Sequence, residues 1–303
     1  MKIIEELFFS ENRKLIDNEI KNVIRLYTTN IDIIENLLFH IKLTSNISKP
    51  TLEHSKRLRS FLCLLFGNEN KYKSEEILPL AITVELIHNA TLIIDDIQDN
   101  DDLRCGELAL WKKIGIPKAI NSAFYLSNIA QAYFHKSKLK NKYYDYSDLI
   151  LESLDRLFNG QQIDLDDKGG KTIEKYEEMA FGKTGALILL SITLGSMPYH
   201  FEKEKFIILK EFSESFACYY QVRDDLMDIN KEKHTLDNGN ILFFTEGDNM
   251  IEKIENIYKM MDIFKNRTLN ALNAIKLNGL LMTNTLTETL NLFSLEKSFK
   301  TKI

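Results

Sequence analysis

Apolar residues recur three and four positions apart along most of the chain, as they do on the buried face of an amphipathic helix. Two of the clearest runs are Ile16, Ile20, Val23, Ile24 and Tyr27, and Ile31, Ile34, Leu37 and Leu38. The alternating pattern that marks strands and hairpins is missing, and only four prolines and twelve glycines interrupt the helical pattern. The pattern predicts an all-α protein, a bundle of about ten or more helices in a single domain over residues 1–303.

An acidic motif follows one of the longest apolar runs. Asp95, Asp96 and Asp99 come together at one helical end, with Asp95 and Asp99 one turn apart on the same face. Such carboxylates repel one another, and a divalent cation relieves the repulsion. Oxygen ligands of this density suit Mg²⁺, which in turn bridges to phosphate oxygens. The alternative interpretation of one such motif is a solvated acidic helix end.

A second motif of the same spacing weakens that alternative. Asp224, Asp225 and Asp228 also follow a largely apolar helical run. Two such helices facing each other would place two carboxylate clusters around one cavity. The pair of motifs therefore predicts a site where several Mg²⁺ ions hold a diphosphate.

The composition excludes several other classes of protein. The 303 residues are 44% hydrophobic and 27% charged, as in an ordinary globular protein, and the net charge of −5 argues against a nucleic-acid partner. Three scattered cysteines form neither a disulfide framework nor a zinc site. The N-terminus lacks the apolar core of a secretory signal, and no apolar run reaches transmembrane length. We therefore expect a cytoplasmic protein without a transmembrane segment.

Five motifs occur in an order and spacing that resemble one known family. They are DDIQD from Asp95, LRCG from Leu103, GQQIDLD from Gly160, KTG from Lys183 and QVRDDLMD from Gln221. Together they resemble the trans-isoprenyl diphosphate synthases, and within that family the geranylgeranyl diphosphate synthases. The resemblance is dense from about Ser55 to Gly247 and weak outside that range.

The resemblance implies an isoprenoid-synthase-like bundle around a central cavity, usually a homodimer, in which about three Mg²⁺ ions bind a prenyl diphosphate. The implied metal ligands are Asp95, Asp96, Asp99, Asp224, Asp225 and Asp228. The implied catalytic residues are Asp95, Asp96, Asp99, Lys183 and Asp224. The implied substrate-binding residues are Arg104, Lys183, Thr184 and Gln221, with Lys56, Arg59 and His88 for the diphosphate of isopentenyl diphosphate.

The residues that precede the two motifs along their helices predict the depth of the substrate pocket. Ala90 and Thr91 precede Asp95 and are small, which by resemblance leaves a channel long enough for a C20 chain. Phe216 and Tyr220 lie two turns and one turn before Asp224, where aromatic faces would stabilise a carbocation by cation–π attraction. Plain core packing is the alternative for each of these two aromatic residues.

Three departures from the family pattern remove positive charge. Cys105 replaces the second of two adjacent arginines, Asp248 stands where a lysine is usual, and an earlier lysine is missing. An arginine carries a permanent charge and five donors, so its loss weakens the binding of a diphosphate. In the family, the position of Cys105 serves the acceptor substrate, whereas both metal motifs are complete in this sequence.

This pattern of losses favours a terpene synthase, which ionises a C20 or C15 prenyl diphosphate and releases a hydrocarbon or alcohol plus diphosphate. The alternative is a geranylgeranyl diphosphate synthase, a prenyltransferase that condenses isopentenyl diphosphate with an allylic diphosphate. Lys56, Arg59 and His88 support that alternative. A third interpretation is a non-catalytic partner subunit, against which the six matched aspartates argue.

Overall fold

The computed structural model describes residues 2–43, 57–136, 146–166, 171–198, 201–229 and 239–275. The α-helices within these ranges are α1 Lys2–Tyr27, α2 Ile31–His40, α3 Leu58–Glu69, α4 Ser74–Gln98, α5 Leu110–Ile114, α6 Ile116–Lys136, α7 Tyr146–Leu165, α8 Ile173–Ala180, α9 Ala186–Ser196, α10 Lys203–Ile229 and α11 Met250–Ala274. Two short strands, β1 Leu103–Arg104 and β2 Glu107–Leu108, form a hairpin, and Phe181–Gly185 and Ile241–Phe243 form a π-helical and a 3₁₀ turn. The prediction of an all-α fold is confirmed.

The chain divides into two compact units. Unit 1 comprises Met1–Tyr144 and Leu194–Tyr199, and unit 2 comprises Asp145–Thr193 and His200–Ile303. The acidic motif at Asp95 belongs to unit 1, and the motif at Asp224 belongs to unit 2. The single domain expected over residues 1–303 stays a prediction.

Helix α4 forms the centre of unit 1 and packs against α1, α3, α5 and α6. Its buried apolar residues lie on several sides of the helix and include Ile77, Leu80, Leu86 and Ile93. A helix that is apolar on most sides is a core helix. The acidic motif comes only in its last turn, where the helix reaches solvent.

Two helical stretches, Ser74–Gln98 and Ile173–Ser196, have the length and composition of a membrane span. The expectation that no apolar run reaches such a length is therefore wrong as a statement about length and composition. However, 72% and 83% of an apolar 18-residue window in the respective stretches is buried inside the protein. Core packing is sufficient to account for their apolar character, since a buried helix is apolar on all sides.

In unit 2, α7 crosses the continuous helix of α8, the π-helical turn and α9 at two glycines. A Cβ added at Gly160 would lie 2.6 Å from the Cα atom of Gly182, and one added at Gly182 would lie 2.5 Å from the Cα atom of Gly160. Side chains at these positions would push the two helices apart, so the close approach requires glycine. It places the KTG motif beside the GQQIDLD motif.

Candidate active site

The first acidic motif pairs with an arginine. Asp96 is buried, and its Oδ1 accepts a hydrogen bond from Arg104 Nε at 2.5 Å, while Arg104 Nη2 lies 3.4 Å from Asp95 Oδ2. Asp99 caps α4, because its backbone N–H donates to the Asp95 carbonyl at 2.9 Å. Burial, only partly offset by Arg104, raises the pKa of Asp96 to about 6. Arg104 therefore relieves part of the repulsion among these aspartates without a metal ion.

Arg104 is carried by the hairpin in which β1 pairs antiparallel with β2. The two turn residues, Cys105 and Gly106, have φ angles of 55° and 78°. Two positive φ angles are what a two-residue type I′ turn requires. Cys105 is exposed at this turn, so the position that departs from the family pattern lies at the tip of the hairpin.

Arg59 and His88, both predicted to bind the second diphosphate, meet in unit 1. Arg59 Nη1 of α3 lies 2.9 Å from His88 Nε2 of α4. A guanidinium only donates hydrogen bonds, so His88 Nε2 accepts this one and the ring is neutral. Burial, together with the charge of Arg59, lowers the pKa of His88 well below its usual value. Lys56, the third predicted residue of this group, lies outside the described residues.

Arg57 is a residue that the sequence analysis passed over. It is buried, its φ angle is 48°, and it donates to Asp17 Oδ1 and to the Ile41 carbonyl, both at 2.8 Å. Its Nη1 also lies 3.4 Å from Glu85. These contacts fix the start of α3, from which Arg59 extends. A glutamate at position 85, inside an apolar run, is the sequence signal for such a buried cation, because carboxylates are rarely buried unless paired.

The two small pocket residues lie on α4, where Ala90 is buried and Thr91 is half-buried. Thr91 Oγ1 donates to the His88 carbonyl at 2.8 Å. The hydroxyl is therefore satisfied within its own helix. A deep channel behind Asp95 stays a prediction.

The second acidic motif has three aspartates in different surroundings. The Asp224 side chain is 34% exposed, and its Oδ1 lies 2.6 Å from Arg223 Nη2. Asp228 is half-buried, near the end of α10. Asp225, by contrast, is buried.

Asp225 accepts three hydrogen bonds from neutral donors. Its Oδ2 accepts from the Tyr176 hydroxyl and from the Ile241 backbone N–H, both at 2.8 Å, and its Oδ1 accepts from Gln221 Nε2 at 3.0 Å. Burial raises the pKa of Asp225 to about 7, although these hydrogen bonds act to lower it. Tyr176 was missed by the sequence analysis. Its position on the apolar face of α8 is the available signal, because a buried tyrosine hydroxyl needs a partner.

Lys183 and Thr184 lie in the π-helical turn Phe181–Gly185. At the KTG motif the helix makes one wider, π-helical turn and then continues, so it is not broken there. Such π turns are frequent at functional sites. Lys183 Nζ contacts Asp164 Oδ2 of α7 at 2.5 Å. A Cβ added at Gly239 would collide with Asp164 Oδ1, so Gly239 lies directly against the partner of Lys183.

The predicted aromatic residues of α10 form a ladder of rings. Phe212 stacks on Phe216 with ring centroids 5.7 Å apart, and Phe216 lies 6.1 Å from Tyr220. The guanidinium of Arg223 lies 4.8 Å from the centroid of the Tyr220 ring. Core packing, the alternative weighed for these residues, describes Phe216, which is 3% exposed.

Asp248, the position of reversed charge, has a local structural reason. It is exposed, and its backbone N–H donates to Glu252 Oε2 at 2.9 Å. It comes directly before Asn249, the N-cap of α11. A negative charge beside a helix N-terminus interacts favourably with the helix dipole.

The chemistry of both motifs fits Mg²⁺, although no three His, Cys, Asp or Glu side chains are grouped as a metal site among the described residues. Asp95 and Asp99, and likewise Asp224 and Asp228, are partly exposed carboxylates four residues apart. Asp96 adds a buried oxygen, Oδ2, that has no hydrogen-bond partner among the residues that the structure describes.

Comparison with known proteins identifies the family. A family model described as polyprenyl synthetase matches residues 41–270, and the chain therefore belongs to the polyprenyl synthetase family. The short chain isoprenyl diphosphate synthase of Methanocaldococcus jannaschii is 34% identical over 188 residues, which are 61% of this chain and 57% of that protein. The geranylgeranyl diphosphate synthase of Saccharolobus solfataricus is 28% identical over 229 residues, 74% of this chain and 65% of that protein. The chain thus aligns with less than two thirds of the length of either relative.

Solved structures show the same fold. A geranylgeranyl pyrophosphate synthase superposes with a TM-score of 0.77 at 17% identity, covering 94% of this chain and 98% of that one. The geranyltranstransferase of Thermotoga maritima superposes with a TM-score of 0.74 at 22% identity, covering 94% and 97%. The isoprenoid-synthase-like fold class is confirmed.

The prediction of a terpene synthase is wrong. The two relatives aligned by sequence are named as isoprenyl and geranylgeranyl diphosphate synthases, which supports the alternative, a prenyltransferase. The error came from the weight given to Cys105. That residue lies at an exposed hairpin turn.

Proposed function

We propose that this protein is a prenyl diphosphate synthase that condenses isopentenyl diphosphate with an allylic prenyl diphosphate. The observation that carries the proposal is the contact between Arg59 and His88 at 2.9 Å. The charged guanidinium and the remaining N–H of the neutral imidazole are donors for a second diphosphate. An enzyme that only ionises one prenyl diphosphate has no need of such a pair.

The proposed condensation begins with bond cleavage and continues with bond formation. The allylic C–O bond breaks to give a diphosphate and an allylic cation, and the double bond of isopentenyl diphosphate then forms a C–C bond to that cation before a proton leaves. Bound Mg²⁺ would neutralise the charge that develops on the departing diphosphate. The residues proposed to hold the ions are Asp95, Asp96, Asp99, Asp224 and Asp228.

The cationic side chains around the motifs would bind the allylic diphosphate. Arg104 and Lys183 are both paired with carboxylates, to which they donate hydrogen bonds. Each could share its donors with phosphate oxygens, since guanidinium and ammonium groups carry several N–H bonds. Thr184 and Gln221 are proposed as neutral donors to the same diphosphate.

The product is proposed to reach C20, built from a shorter allylic diphosphate, because Ala90 and Thr91 are small. The same proposal includes a homodimer and a cytoplasmic location. Light scattering of the purified protein and fractionation of its cells would test these two points.

Incubation with Mg²⁺ and a C10, C15 or C20 diphosphate, with and without isopentenyl diphosphate, tests the proposal when products are identified by mass. We expect chain extension only when isopentenyl diphosphate is present. Arg59→Gln should raise the KM for isopentenyl diphosphate at least about tenfold, because a charged hydrogen bond contributes about 1.5–3 kcal/mol. The exposed Arg25→Gln is the matched control. Hydrocarbon or alcohol products without extension would contradict the proposal, as would the absence of any reaction.

A further inference from the structure

The segment Gly239–Phe244 follows the second acidic motif. The first half of this segment is hydrogen-bonded to Asp225. The Ile241 backbone N–H donates to Asp225 Oδ2 at 2.8 Å, and Asn240 Nδ2 donates to the Asp225 carbonyl at 3.2 Å. Asn240 Oδ1 in turn accepts from the Leu242 N–H at 3.0 Å, which starts the 3₁₀ turn. Both the side chain and the backbone of Asp225 therefore hold this segment on α10.

The same segment contacts the partner of Lys183. Gly239 lies so close to Asp164 that a Cβ there would collide with Asp164 Oδ1, and Asp164 Oδ2 accepts from Lys183. At the other end, the ring of Phe244 lies edge-on to that of Tyr176, with centroids 5.3 Å apart. Tyr176 also donates to Asp225. A continuous set of contacts thus leads from Asp225 to Lys183 within unit 2.

We infer that Asp225 is a positioning residue and not a metal ligand: it fixes the segment Gly239–Phe244, which holds Asp164 and, through it, Lys183. Both carboxylate oxygens of Asp225 accept hydrogen bonds from protein donors, one of them a backbone N–H that cannot turn away. Asp224 and Asp228 are more exposed and remain the metal-binding members of the motif. The inference rests on the proposed function, because it is the proposed function that assigns Lys183 to binding the diphosphate.

Replacement of Asp225 by Asn separates the two roles. The side-chain oxygen of Asn can accept from Tyr176 and Ile241, and the Gln221 amide can rotate to accept from its NH₂ group. Asp225→Asn thus keeps the anchor but removes the charge that a metal ion needs. We expect turnover to fall by less than about tenfold and the half-saturating Mg²⁺ concentration to change by less than about twofold. Asp224→Asn should raise that concentration at least about tenfold. An equal rise in Asp225→Asn would overturn the inference.

Hydrogen exchange of the Ile241 amide provides a readout that does not depend on activity. In Asp225→Leu, which removes both acceptors, this amide should exchange at least about tenfold faster than in the wild type, as expected for the loss of one net hydrogen bond. Asp224→Asn should leave its exchange unchanged. Unchanged exchange in Asp225→Leu would overturn the inference, whether or not the protein proves to be a prenyltransferase.

A third variant tests the far end of the contacts and avoids a change at Asp225 that could prevent folding. Gly239→Ala adds a Cβ that would collide with Asp164 Oδ1, and we expect this to displace Asp164 from Lys183. If the segment positions Lys183, the KM for the allylic diphosphate should rise at least about fivefold while the half-saturating Mg²⁺ concentration stays the same. An unchanged KM in the folded variant would show that the segment does not act through Lys183.

Discussion

The two acidic motifs have the same spacing and both lie near the end of a long helix, but their middle aspartates have different partners. Asp96 is held by Arg104, a charged residue on a short hairpin. Asp225 is held by a tyrosine hydroxyl, an amide side chain and a backbone N–H. A guanidinium can share its donors with a phosphate, whereas a backbone N–H is fixed by the chain. We therefore propose that the middle aspartate contributes to ligand binding in unit 1 and to local architecture in unit 2.

The largest effects are expected at the partly exposed aspartates that the two motifs share. Asp95→Ala and Asp224→Ala should each reduce diphosphate release at least about a hundredfold, as the loss of a key electrostatic stabiliser does. The exposed Asp262→Ala on α11 is the control, and an excess of EDTA should abolish the activity of the wild type. Near-full turnover in both variants would refute a metal site at either motif.

The contrast between the middle aspartates predicts different losses of stability. Arg104→Met leaves a buried carboxylate without its cation, which should lower the free energy of unfolding by about 2–3 kcal/mol. Tyr176→Phe removes one neutral donor of three and should cost about 1 kcal/mol. Urea unfolding followed by circular dichroism measures both, and the fluorescence of Trp111, the single tryptophan, reports on unit 1. Equal losses would remove the distinction drawn between the two motifs.

The residues that precede the two motifs along their helices also differ. Ala90 and Thr91 on α4 are small, whereas Phe216 and Tyr220 on α10 are aromatic. Thr91→Phe should shorten the products, reducing C20 formation at least about tenfold while C10 turnover is largely kept, because one added ring fills the proposed channel. Thr91→Val is the control, as it removes only the hydroxyl that donates to His88. A loss that is equal for all chain lengths would mean that the channel lies elsewhere.

A further predicted effect concerns pH and belongs to unit 1. His40 Nε2 donates to the Asn89 carbonyl of α4 at 2.9 Å, and burial, together with Arg104, lowers the pKa of His40 to about 3. The unfolded chain takes up a proton near pH 6.5 while the folded chain does not. The stabilisation is therefore complete above pH 6.5 and decreases as the pH falls towards 3, by about 1.4 kcal/mol at pH 5.5.

His40→Gln keeps a donor for the Asn89 carbonyl but cannot titrate. Between pH 7 and pH 5.5, the free energy of unfolding of this variant should fall by about 1.3 kcal/mol less than that of the wild type. Parallel pH profiles for the two proteins would show that His40 has the same pKa in the folded and unfolded chains.

Most of the architecture could be predicted from the sequence. Helical periodicity indicated the segments that became α1 and α2, because each helix buries one face and repeats it every three to four residues. The order of five short motifs gave the family and drew attention to Arg59 and His88, which the structure brings together. These features are local in sequence, so no knowledge of distant partners was needed.

Tertiary structure alone decided the role of each aspartate. Asp225 owes its burial to Tyr176, which is 49 positions earlier, and to Ile241, which is 16 positions later. Likewise, the choice of Arg57 as the buried cation depends on Asp17 and Glu85. The spacing of a motif determines which side chains share a helical face. Whether a carboxylate on that face meets solvent, a cation or a backbone N–H depends on which distant elements pack against it.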